Sequence, residues 1–187
     1  LDDSDQANAL GYHDLTPQLA PVGKIFAASD KQHGAAVSVT TSHELLEMLG
    51  DPFLNTSALD PQTGWLYAYE SSDAVEADEL GYEIDGVLVS DFVLPQYFDP
   101  RHAGRGEPLS FQSHVVEPFS LAKGGYGNYL DLGNLQAGWQ QVTAEGTPDE
   151  GRESGQRPIE ILPGSRRHRR IKASFNNLQV STFPVAG

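Results

Sequence analysis

The residues best suited to chemistry lie together in His43-Glu44-Leu45-Leu46-Glu47. On a helix, positions four apart share a face, so His43 and Glu47 can direct an imidazole and a carboxylate at one metal ion. Glu44 projects beside them and can reach a water molecule at that ion, placed to take its proton. Zinc accepts carboxylate oxygen at about 2.0–2.2 Å as well as imidazole nitrogen, so the pairing is chemically sound. It is more anionic than a two-histidine site and weakens zinc's pull on the water. The same residues also fit an ordinary reading. Thr41-x-x-Glu44 has the spacing of a capping box, which would leave His43 and Glu47 on the solvated face of a short amphipathic helix.

Either reading needs a helix, and the spacing predicts one over 41–49. Leu45, Leu46, Met48 and Leu49 form its apolar side, and Gly50 and Pro52 stop it. Upstream, residues 24–28 and 35–39 read as two short strands around a turn at 30–34, a hairpin. The first fifteen residues read as a polar arm. Downstream, 53–64 reads as loop, 65–69 and 86–94 as strands, and 139–142 as a late strand. Residues 99–135 are rich in Gly, Pro and aromatics and carry no long helical period. The fold class is therefore α+β, with an active-site helix around 41–50, short strands and a loop-rich C-terminal half.

Composition narrows the chemistry. The chain has 187 residues, 26 acidic against 12 basic, a net charge of −14 and no cysteine. A thiolate nucleophile, a disulfide framework and a cysteine-ligated metal are excluded, so an ion would be held by His, Asp or Glu. The acidic balance disfavours general binding to nucleic acid or to anionic membranes. No apolar run is long enough to span a membrane, and the acidic start at residues 1–5 is unlike a signal peptide. The acids gather downstream of the helix, at Glu70, Asp73, Glu76, Asp78, Glu79, Glu83 and Asp85. For any one of these a solvated surface is the ordinary outcome. Arg166, Arg167, Arg169, Arg170 and Lys172 form a basic cluster that fits phosphate or, better, an acidic neighbour. The glycines at 124, 125 and 127 lack the Lys-Ser/Thr of a phosphate loop, and no Gly-x-Ser-x-Gly elbow is present.

Ser42-His43-Glu44-Leu45-Leu46-Glu47, then Asp51-Pro52, Gly64-Trp65 and Glu70-x-x-Asp73, resembles a zincin-like family with an H-E-x-x-E motif, related in mechanism to H-E-x-x-H metallopeptidases. The run from Glu76 to Gly86, Asp91 to Pro95, Pro118 to Leu121 and Gly124-Gly125-Tyr126 looks like the version found in bacteriophage and prophage proteins. Val75 stands where that family carries Cys. The likeness covers roughly residues 20 to 145, giving an N-terminal arm over 1–20, a zincin-like domain over 21–145, and a loop and C-terminal extension over 146–187.

The resemblance implies a zinc ion on His43 and Glu47, with Glu44 as general base. Asp73 is the preferred third ligand, ahead of Glu70 and Glu76, and Asp51 is a further candidate. It implies a peptide or protein substrate, with an oxyanion donor among Tyr67, Tyr69, Tyr82 and His114. Two functions follow as expectations. One is a zinc-dependent peptidase-type domain of phage or prophage origin. The other is a non-catalytic virion head, neck or tail protein that keeps the scaffold and binds other virion subunits. An acidic binding domain without metal is a third. The expected setting is the virion or the host cytoplasm, with no membrane partner and with nucleic acid touching only the 166–172 cluster.

Overall fold

The computed structural model describes residues 9–144. The basic cluster and the rest of the expected extension lie outside them. The fold mixes α and β, with two helices and three antiparallel sheets. Strands β1 (Gly11–Leu15) and β2 (Pro21–Ile25) form a hairpin that pairs His13 with Gly23. Helices α1 (Ala27–His33) and α2 (Val37–Gly50) follow. β3 (Ser57–Asp60), β4 (Trp65–Ala68), β7 (Tyr126–Asp131) and β8 (Trp139–Thr143) build a four-stranded sheet in the order β3-β4-β7-β8. Between β4 and β7, β5 (Tyr82–Ile84) and β6 (Val87–Val89) form a second hairpin. Asp85 and Gly86 turn it, both with positive φ, as a two-residue type I′ turn requires.

The N-terminal third departs from the expected pattern. Residues 11–15, read as part of an arm, are strand β1. The expected hairpin of 24–28 and 35–39 is instead a strand end leading into two helices. Ala27 and Ala28 open α1 with the strongest helix propensity of any residue, and Gly34 ends it in the left-handed region with φ 73°. α2 begins at Val37, so Thr41 is not a cap: its hydroxyl donates to the Val37 carbonyl inside the helix. The helix end matches expectation at Gly50, where the Asp51 N–H closes the last turn on the Glu47 carbonyl. Of the expected strand over 86–94, Val87–Val89 pairs in the hairpin and Val93 makes an isolated antiparallel bridge to Ser110. Ser90 and Asp91 turn inward instead, where Ser90 N–H donates to the Ser42 hydroxyl on α2.

Two apolar centres support this frame. One gathers Ala74, Val75, Val93, Tyr97, Leu109 and Val115. The other packs Ala68 and Leu130 against Trp139. Trp65 stacks on Tyr129 across β4 and β7 at 3.8 Å between centroids, locking the sheet beside the loop that leaves β4. Residues 99–135, read as rich in Gly, Pro and aromatics with no long helical period, contain β7, a central strand. Gly125 explains how it sits so close: a Cβ there would lie 2.2 Å from the Ala74 carbonyl.

α2 lies against β1, β2 and β6, and it is turned opposite to its sequence pattern. Val39, His43, Glu44 and Glu47 are buried, while Leu45 and Leu49 are exposed. The polar face is the inner one.

Candidate metal centre

Four segments converge on that inner face. α2 supplies His43, Glu44 and Glu47 from consecutive turns. The chain leaving β4 supplies Glu70 and, at a short 3-10 turn over Asp73–Val75, Asp73. β1 supplies His13, and β7 supplies Asn128. His13 and Glu47 are each 1% exposed, Asp73 2%, Glu70 4%, Glu44 7% and His43 8%. None of the described lysines or arginines is buried. Four carboxylates thus share an interior with only two imidazoles, an arrangement that burial alone makes costly.

The distances between donor atoms have a characteristic length. His43 Nε2 lies 3.3 Å from Glu47 Oε1 and 3.3 Å from Asp73 Oδ1. His13 Nδ1 lies 3.2 Å from Glu44 Oε2 and 3.4 Å from Glu47 Oε2. Ligand atoms 2.0–2.1 Å from a tetrahedral ion sit about 3.3–3.4 Å from each other. Good N–H···O bonds span 2.7–3.2 Å, so the His13–Glu44 contact is also a hydrogen bond, while the other three lie just beyond that range. Two triads, His43–Glu47–Asp73 and His13–Glu44–Glu47, each bring their donor atoms within 4.8 Å of one another and could hold a metal ion.

Asp73 tests the fit most directly. Its Oδ2 accepts from Asn128 Nδ2 at 3.2 Å, while its Oδ1 is buried without a hydrogen-bond partner among the described residues. A buried carboxylate oxygen in that position needs a cation or a proton. Burial first, then the charges of Glu47 and Glu70, push the Asp73 carboxyl up to about 7, against the opposing pull of His43. Burial would lower the His43 imidazole, but the charge of Glu47 and contacts to Asp73 and Glu47 hold it well above its usual value. Burial likewise favours protonating Glu47, and the facing His43 and His13 keep it well below the carboxylate range. One imidazole nitrogen and two carboxylate oxygens suit zinc and other borderline divalent ions.

The remaining sequence candidates fall elsewhere. Asp51 is buried, but its carboxylate accepts from the N–H groups of Asn55 and Thr56 and from the Thr56 hydroxyl, organising the loop after α2. It sits in neither triad. Glu70 borders the cluster, 3.7 Å from His13 Nε2. Glu76 is half-buried and belongs to neither triad. Tyr67 stacks on Phe119, Tyr69 on Phe98, and Tyr82 packs against Phe111. His114 binds the buried Asp91 at 2.9 Å through Nδ1.

Sequence reasoning missed His13 and Asn128. His13 falls within the first fifteen residues, which read as a polar arm. The available signal was the alternation of Gly11-Tyr12-His13-Asp14-Leu15, which reads as a strand once the hairpin turn at residues 16–20 is recognised. Asn128 had no motif at all. Comparison with known proteins finds no matching family model, no matching curated protein and no matching solved structure.

Proposed function

We propose that this chain is a divalent-metal hydrolase of the peptidase type, with zinc the best-suited ion. His43, Glu47 and Asp73 would hold the ion. The observation that carries this reading is the convergence of those three donors, with His43 Nε2 3.3 Å from an oxygen of each carboxylate and Asp73 Oδ1 buried and lacking a hydrogen bond. When bound, such an ion polarises a scissile carbonyl and makes water acidic enough to attack it near neutral pH. Glu44, adjacent on the same helix, takes the proton of the attacking water. Asn128 fixes the Asp73 carboxylate from behind, as hydrogen bonds to ligands commonly do. The phage or prophage setting rests on the resemblance of residues 76–95 and 118–126 alone.

A second reading has its own support. The whole constellation is at least nine-tenths buried, and closed sites are characteristic of structural rather than catalytic zinc. In that reading the ion staples a non-catalytic virion protein. Metal analysis and cleavage assays on casein and a fluorogenic peptide library separate the two. The hydrolase reading expects bound zinc and peptide cleavage that Glu44→Gln abolishes while a zinc ion stays bound. Stoichiometric metal with no cleavage, and a large fall in melting temperature on chelation, supports the structural reading. Protein that binds no divalent ion rejects both.

A further inference from the structure

The second triad is not used by the single-ion reading, and it has the same dimensions as the first. His13 reaches it from β1, a different element from every residue that the motif supplies. Its Nδ1 faces two buried carboxylate oxygens, Glu44 Oε2 at 3.2 Å and Glu47 Oε2 at 3.4 Å. A ring nitrogen carries at most one proton, which can be aimed well at only one of them. The other like-charged oxygen is left facing it in an interior with no buried lysine or arginine among the described residues. A divalent ion in contact with all three atoms neutralises both oxygens at once.

Glu47 connects the two triads. Its Oε1 faces His43 and its Oε2 faces His13. This is the posture of a bridging carboxylate, one oxygen for each of two ions. The Ser72 N–H donates to Oε1 at 3.2 Å and holds the carboxylate in that orientation. Ions bridged in this way sit about 3.5–4 Å apart, the spacing used by two-metal hydrolases.

We propose that the chain holds a second divalent cation on His13 Nδ1, Glu44 Oε2 and Glu47 Oε2, bridged through Glu47 to the ion at His43 and Asp73. The inference rests on the first-site reading and extends it from one ion to two. Glu44 then ligates through Oε2, and its other oxygen serves as proton acceptor. Glu70 Oε2 lies 3.7 Å from Nε2 on the far side of the His13 ring. Gly11 is what lets the hairpin come this near: a Cβ there would meet Thr40 Cγ2 at 2.8 Å and Glu44 Cγ at 3.0 Å.

The test is metal binding by the full chain, stripped with chelator and titrated with Zn(II) and separately with Mn(II). The expected count is two ions per chain, by calorimetry and elemental analysis. Mn(II)-loaded protein should give an exchange-coupled electron paramagnetic resonance spectrum rather than the six-line pattern of an isolated ion. His13→Gln should reduce the count to one and restore the six-line pattern, and Asp73→Asn should remove the other ion. Circular dichroism confirms that each variant is folded, and the wild-type spectrum decides the matter without any variant. One ion per chain, lost in Asp73→Asn but retained in His13→Gln, overturns the second site and leaves the first standing. No bound ion overturns both.

Discussion

Asn128 Nδ2 donates to Asp73 Oδ2 at 3.2 Å across 55 residues of chain, and this bond leaves the other carboxylate oxygen turned toward His43. β7 thereby sets the orientation of a residue that belongs to a turn on the opposite side of the sheet connection. The pairing couples the four-stranded sheet to the helix face that carries the motif.

If Asp73 ligates an ion as proposed, removing that bond should loosen the ligand without deleting it. Asn128→Ala is expected to weaken Zn(II) binding by about 10- to 100-fold, the usual cost of losing a hydrogen bond to a ligand. Asn128→Asp should be worse, because it adds a further carboxylate beside Asp73. Competition against a chromophoric zinc chelator measures both. Unchanged affinity in Asn128→Ala would show that Asp73 is held by its backbone alone.

The hairpin's approach makes a second, separable prediction. Gly11→Ala places a methyl against Thr40, Glu44 and Ile25, the last at 3.2 Å. Overpacking of this kind costs about 1–3 kcal/mol. The strand must shift away from α2, carrying His13 with it. Urea denaturation should report the lost stability, and metal titration should report weakened binding. Loss of stability with unaltered binding would mean that the hairpin slides along the helix rather than away from it.

How much of this was legible beforehand varies with the range of the contacts involved. That His43, Glu44 and Glu47 lie together on one side of α2 follows from helical spacing alone. The helix end at Gly50 and the strands at 65 and 139 follow from similarly local signals. The orientation of α2 was not local. Leu45 and Leu49 mark an apolar side that the chain leaves exposed, while the polar side is buried by partners 25 to 31 residues away, Ser72 and His13. Propensity cannot foresee that a helix will turn its carboxylates inward. β1 was hidden for a related reason: a polar strand with one buried histidine resembles an arm until its partner strand is known. Gly124, Gly125 and Gly127 masked β7 by suggesting loop, although Gly125 is required by contact with Ala74.

Asp51 provides a control that distinguishes a ligand from a structural acid. Its three accepted bonds hold residues 55 and 56 under the end of α2. Asp51→Ala should cost roughly 3 kcal/mol, since bonds to a charged acceptor are worth more than neutral ones. It should leave the number of bound ions unchanged. A fall in metal count in folded Asp51→Ala protein would assign this residue to the centre after all.

Asp30 gives the clearest dependence on pH, outside both candidate metal triads. It is fully buried, accepts the Thr40 hydroxyl at 2.7 Å through Oδ1, and has no hydrogen-bond partner for Oδ2 among the described residues. Burial raises its pKa, the Thr40 bond opposes that, and the charge of Asp78 raises it further. A carboxyl raised in the folded state binds more protons folded than unfolded. Its contribution to stability is therefore full below the unfolded value of about 3.9 and declines as pH rises through the folded value. Asp30→Asn removes the charge and keeps the Thr40 contact through its amide oxygen. Metal-free protein carrying this substitution should gain stability relative to wild type at pH 7 and lose the advantage near pH 4, as read by urea midpoints across that interval. An equal effect at both ends would mean that Asp30 stays ionised in the fold and that its buried oxygen is satisfied by solvent.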